Sequence, residues 1–330
     1  MKKIVPIILM ALIAIAGYWV VQQSTTENSN TDIRQFAIDD PNVITRIELK
    51  DRNGRQVTLH KKNDTWYVNN QLLAFGPKIQ ALLFKTLNKI RIKGPVPKTA
   101  QKNVIRQMVG HATHVQIFDQ NKKIRDYYVG ASNPDRSATY IHINGSNTPY
   151  LAHILGYANV LEPKFSTQKY DWINQTIFDF TPDQIAYVSV THHNDTEESF
   201  TLSKTDSLFQ ISPSIPQLSQ SAARSYFSLF SFKNFEGYAT YLNASQKDSI
   251  KKASPFMSIK VVPKQGDPIT LNLHQKGLSQ SKNSLYDKRG QPIVEDTERY
   301  FATFTDFPYL VTVQHFTMGK LLVKRSYFKP

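Results

Sequence analysis

The sequence of 330 residues contains no cysteine. Disulfides, cysteine-based zinc sites, iron–sulfur clusters and thiol nucleophiles are excluded together, as is a lipidated cysteine behind a cleaved leader. The signatures of nucleotide- and cofactor-using enzymes are missing too: there is no G-x-S-x-G elbow, no Walker loop and no G-x-G-x-x-G. No collagenous or low-complexity bias is present, and 40% hydrophobic with 12% aromatic residues is a globular composition. Acid is scarce in one place: from Pro77 to Phe118 there are eight Lys or Arg and no Asp or Glu.

What is there begins with charge. The net charge of +14 is uneven. Residues 22–165 hold 20 Lys/Arg against 11 Asp/Glu, whereas residues 166–330 hold 18 against 15. The positive field therefore belongs to the first half, and its natural partners are anionic: a protein face, lipid headgroups or acidic polymer, with no nucleic acid expected.

Ile4 to Val21 reads IVPIILMALIAIAGYWVV and carries no charge. At about 1.5 Å per residue it reaches roughly 27 Å, close to a bilayer core. Met1-Lys2-Lys3 precedes it, and the next basic residue is Arg34. This asymmetry predicts a single-pass inner-membrane anchor over 1–21, with a cytoplasmic N-terminus and the bulk of the chain in the periplasm. Ala14-Ile15-Ala16 is the alternative, a signal-peptidase site. Residues 22–35 are polar and small, a flexible linker.

The rest reads as alternating strands with a few helices. Asn53-Gly54 between apolar runs predicts a hairpin, and Asn63-Asp64 a second turn. Gly76-Pro77 opens a helix with Ile79, Leu82, Leu83, Leu87 and Ile90 on one face and Lys78, Lys85, Lys89 and Lys93 on another. Gly94-Pro95-Val96-Pro97 ends it. A second helix near Thr99–Met108 carries Lys102 and Arg106 at helical spacing from Lys98. Strands resume at His114–Phe118, Ile124–Val129 and Thr139–Ile143, with a turn at Asn144-Gly145.

The second half repeats this order. Ile185 and Val188 stand for Ile44 and Ile47, Phe200–Lys204 for Val57–Lys61, Ile259-Lys260-Val261 for Val115-Gln116-Ile117, and Arg289-Gly290 for Asn144-Gly145. The offsets stay near 141–145 residues. Two helical stretches, 217–231 and 244–252, lie between, and 309–316 and 321–328 read as closing strands. The expected fold class is α+β: an N-terminal transmembrane helix, then two repeated units of mainly antiparallel sheet with a helix pair each. The units are a basic repeat over 36–165 and a second repeat over 181–330. The connector 166–180 is held down by Trp172, Phe165 and Phe178.

Candidate chemistry is sparse. His192-His193 with Asp195 could ligate a metal, but adjacent strand residues point to opposite faces. His111 and His114 flank a strand start. Ser249-x-x-Lys252 and Ser279-x-x-Lys282 have the Ser/Lys spacing without its companion motifs. Glu295-Asp296-x-Glu298 suits the first turn of a helix, where the dipole favours acids. No catalytic residue, metal site or cofactor is assigned. The candidate contact residues are the basic helix faces: Lys78, Lys85, Lys89, Lys93, Lys98, Lys102 and Arg106. The first reading of these faces is a solvated helix surface; the lack of interspersed Glu is what raises the alternative, a docking surface for an anionic partner.

Several short stretches point further: Val57-Thr58-Leu59 with Trp66-Tyr67-Val68-Asn69, the helix from Pro77 with Pro95-Val96 behind it, Tyr127-Tyr128-Val129-Gly130 before Thr139-Tyr140, and Trp172 with Ile177-Phe178. In these the chain resembles a family of membrane-anchored envelope proteins of Gram-negative bacteria, of unknown function, encoded beside gliding-motility-type auxiliary ABC transporter components. The resemblance implies a non-enzymatic accessory or scaffold near a transporter, with a protein partner in an inner-membrane complex. Two alternatives stand beside it: a binding module for anionic envelope polymer or lipid, and a hydrolase with a site assembled from scattered residues.

Overall fold

The computed structural model describes residues 36–156, 160–205, 208–277 and 295–330. The chain divides into two compact units, Met1–Asn174 and Gln175–Pro330.

Unit 1 contains β1 (Arg46–Lys50), β2 (Gln56–Lys62), β3 (Thr65–Val68), β4 (Leu72–Leu73), α1 (Gly76–Leu82), β5 (Ile90–Pro95), α2 (Lys98–His111), β6 (Thr113–Asp119), β7 (Lys122–Ser132), β8 (Thr139–Ile143) and β9 (Pro149–Ile154). The nine strands form one antiparallel sheet in the order β4-β3-β2-β1-β6-β7-β8-β9-β5. Asn63 and Asp64 both adopt positive φ, 48° and 61°, in the two-residue turn between β2 and β3. Asn and Asp tolerate that conformation, and the mirror-image turn they make matches the twist of the strands. Alternation then sorts the side chains. Ile47, Leu49, Val57, Leu59, Val115, Ile117, Val129 and Ile141 are fully buried on the inner face, with Tyr127 packed between Phe36 and Phe165. Trp172 is fully buried, its indole N–H donating to the Ser166 carbonyl at 2.8 Å. The outer face is polar except where α2 lies on it. There Val104, Met108 and Ala112 pack against Tyr128, Tyr140 and Leu151. Gly130 lets α2 in: a Cβ at that position would stand 3.0 Å from Met108 Cγ.

Unit 2 contains β10 (Thr176–Phe178), β11 (Ile185–His192), β12 (Phe200–Thr205), β13 (Leu208–Ser212), α3 (Gln220–Phe227), β14 (Lys233–Asn234), β15 (Gly237–Tyr238), α4 (Ala244–Lys252), β16 (Met257–Pro263), β17 (Ile269–Gly277), β18 (Glu295–Phe304), β19 (Val311–Gln314) and α5 (His315–Met318). Its main sheet runs β13-β12-β11-β16-β17-β18-β19-β15. This is the order of unit 1 without an equivalent of β4, and the register agrees as well. Ile47 lies between Leu59 and Ile117, and Val188 between Leu202 and Val261. A core of aromatic rings closes the unit, with Tyr226 against Phe200, Phe230 and Phe328 at 5.4–5.9 Å between centroids.

The expected fold class needs correcting. Long antiparallel sheets dominate both units and helices are few and short, so the described residues form a β-rich fold rather than an α+β one. Among the described residues no helix is long and apolar enough to cross a membrane. A single-pass anchor, and the inner-membrane and periplasmic placement built on it, are therefore not supported. The stretch 4–21 from which they were inferred lies outside the described residues. The helix from Pro77 is also shorter than its apolar spacing implies: it passes into a π turn at Leu83–Leu87 and stops. Ile90-Arg91-Ile92-Lys93 alternates with period two and forms β5. At the C-terminus only Val311–Gln314 is a strand, and 321–328 runs in short 3₁₀ turns around the buried Phe328. Glu295 and Asp296 begin a strand, not a helix. Arg289-Gly290 lies outside the described residues, and by strand order the counterpart of the Asn144-Gly145 turn is the 305–310 connection.

Candidate functional site

The basic residues of 77–118 are dispersed over α1, the π turn and the connection after it, β5 and α2. Lys78, on α1, is half-buried with its ammonium 4.5 Å from the Trp172 ring centroid. Burial pulls its pKa down, and Asp171 partly opposes this. This lysine is a structural clamp on Trp172. Lys93 lies exposed on β5. Lys98, Lys102 and Arg106 lie exposed along α2, with Arg106 bonded to Asn103 at 3.3 Å.

Lys85 and Lys89 have a different setting. They flank a hollow of about 240 Å³ whose other lining residues are Phe84, Arg91, Ile154 and Leu155. The π turn brings Lys85 to this edge, and the start of β5 adds Arg91. Two backbone bonds hold the Arg91 guanidinium, to the Asn88 carbonyl at 3.0 Å and the Ile90 carbonyl at 2.9 Å. Such bonds orient the group without neutralising it. Leu155 is 74% exposed, so an apolar surface stands open between the three cations. Among the described residues no carboxylate lines the hollow. His153, paired with Arg91 across β5 and β9, reports the local field: its pKa is lowered by burial and further by the Lys93 and Arg91 charges. Arg91 and Leu155 were not singled out by the sequence. Arg91 sat among helical lysines, and only the switch from period 3.6 to period two could have separated it.

The remaining candidates are not gathered for catalysis. His192 bonds the Val323 carbonyl at 2.9 Å, His193 bonds Ser258 Oγ at 2.9 Å, and Asp195 is paired with Lys324 at 2.7 Å. Among the described residues no group of three His, Cys, Asp or Glu could hold a metal. Ser249 and Lys252 lie on α4, which buries none of its residues, and Ser279 and Lys282 lie outside the described residues. Asp296 bonds Lys276 at 2.6 Å and caps the N–H groups of Glu298 and Arg299. The most perturbed carboxylate is Asp126 on β7. Burial pushes its pKa up, but donors on Lys123, His114, Asn144 and Gln116 outweigh this and hold it at about 2. A carboxylate so stabilised in its charged form is a structural anion.

Fold and site thus define a β-rich protein of two like-ordered units, the first carrying a cationic hollow. A domain of unknown function, DUF4340, covers residues 100–253. That span opens in α2 and ends just after α4, which occupies the same place in the order of unit 2, so it spans about one period of the repeat. Neither a curated protein nor a solved structure matches the chain.

Proposed function

We propose that this protein is a non-enzymatic accessory or scaffold component of a larger assembly, docking an acidic partner segment on unit 1. The reading rests on one observation: Lys85, Lys89 and Arg91 surround an exposed apolar hollow that, among the described residues, no carboxylate lines. Cations at the rim favour encounter with an acidic surface, and an apolar seat gives a side chain of the partner something to bury. The resemblance to envelope proteins encoded beside ABC transporter components suggests a transporter subunit as that partner. The test is charge reversal in the full chain. Lys85→Glu with Lys89→Glu should reduce crosslinked partner at least about tenfold, with an unchanged far-ultraviolet spectrum and melting temperature. Undiminished capture by a folded variant would remove the hollow from consideration.

A further inference from the structure

The outer face of the unit 1 sheet carries four side chains in direct cross-strand register: Lys50 on β1, His114 on β6, Tyr128 on β7 and His142 on β8. They floor a groove of about 510 Å³, within the roughly 300–1,000 Å³ usual for small-ligand sites. The wall is the side of α2 that presents Ile105, Met108, Val109 and Ala112. His114 stacks on Tyr128 with centroids 4.5 Å apart and planes 15° apart, so the floor offers flat rings. Val109 is 66% exposed, an apolar wall with nothing over it.

The mouth is cationic. Asp51, the one carboxylate among its described lining residues, already accepts from Arg55 Nε at 2.6 Å and Thr167 Oγ1 at 2.9 Å, and Asp126, beside the floor, is taken up by His114 at 2.6 Å and by Lys123. Lys50 and Arg52, the chain neighbours of Asp51, are exposed and form no ion pair among the described residues. Along the wall, Lys102 and Arg106 each stand three residues before an apolar groove residue, Ile105 and Val109, which puts these cations on the same flank. An apolar trough bordered by uncompensated positive charge is complementary to an amphiphile of negative charge.

Unit 2 serves as an internal control. The residues at the same places in its sheet are Thr191, Ser258, Asn272 and Thr303. They are small and polar, and Ser258 is tied up by His193 at 2.9 Å and Asn272 at 2.7 Å. The helix in the corresponding place, α4, has no fully buried residue and touches the core only through Ile250, beside Phe301 and Leu310. Unit 2 thus forms the same register without rings at these four positions, and the His114, Tyr128 and His142 rings of unit 1 are not needed to make the sheet.

We propose that this groove binds a small anionic amphiphile, with an apolar or aromatic body laid between α2 and Tyr128 and a carboxylate or like anion held at Lys50 and Arg52. The site is separate from the Lys85–Lys89 hollow. Among the described residues lining the groove there is no serine, threonine or cysteine that a base could activate, which favours binding over covalent chemistry. The test is isothermal titration of the full chain with dodecanoate, below its micelle concentration, and with dodecyltrimethylammonium, which has the same tail and the opposite charge. Saturable binding of the anion, about tenfold or more tighter than the cation, is expected. Lys50→Glu with Arg52→Glu, and separately Val109→Glu, should each weaken it about tenfold or more, while Lys85→Glu with Lys89→Glu leaves it unchanged. All these positions are exposed, and melting curves confirm that the variants fold. Equal binding of the two amphiphiles, indifference to the groove variants, or no saturable binding would overturn the proposal.

Discussion

Asp126 shows how one side chain ties the outer face of unit 1 together. It links β6 through His114 and Gln116 to the Asn144 turn, and bonds Lys123 on its own strand. Because its pKa is depressed, its stabilising contribution is complete above the unfolded value near about 4 and is lost as pH falls toward about 2. Asp126→Asn should cost about 1 kcal/mol at neutral pH, since solvent screens this partly exposed group, and the gap from the parent should close on acidification through that window. Chemical denaturation at several pH values measures this, and a gap insensitive to acid would mean that the carboxylate charge is not its source. In unit 2 the comparison is between burial and a single bond. Phe328 is fully buried against Phe200 and Tyr226, whereas the Tyr226 hydroxyl contributes one bond to the Leu321 carbonyl at 3.0 Å. Phe328→Ala should therefore destabilise by about 3–5 kcal/mol, and Tyr226→Phe by about 1 kcal/mol. Equal losses in melting experiments would contradict that ranking.

At the scale of elements, the turns are where sequence and backbone agree most directly. Asn63-Asp64 needs two left-handed residues, so Asp64→Gly should be neutral within about 0.5 kcal/mol while Asp64→Val costs about 1–2 kcal/mol. The strand pairs around Ile47 and Val188 could be read from period-two alternation alone, because one buried face forces that alternation. The helices were less legible. Ile79 to Ile90 satisfies helical spacing, yet the last of these is a strand residue, since short apolar runs fit both periods until Arg91 and Lys93 alternate with Ile90 and Ile92. Residues 321–328 misled for a related reason. Leu321, Val323 and Phe328 look like strand residues, but Leu321 and Phe328 fill the core through short turns without a ladder. The groove under α2 was not legible at all. Its floor is a register of residues about 14–64 positions apart, and no local pattern marks His114, Tyr128 and His142 as neighbours.

At the scale of the molecule, two units share a strand order and differ in charge and surface. Unit 1 holds the cationic hollow and the ring-lined groove, and the four positions of unit 2 that match the groove floor are the small polar residues Thr191, Ser258, Asn272 and Thr303. This difference in charge and surface between two units of one strand order is the physical basis on which partner contact is proposed for unit 1. The basic run of 77–118 was visible in the sequence, but its grouping was not, because the chain turns from α1 into β5 between Lys85 and Lys93. The most direct test of the docking role is crosslinking of the full chain, followed by capture of the parent and of the Lys85→Glu, Lys89→Glu variant side by side. A discrete partner with an acidic contact segment, lost from the variant but kept by a Lys98→Glu control, is the predicted result. The same partner recovered equally with both variants would contradict the assignment of docking to this hollow.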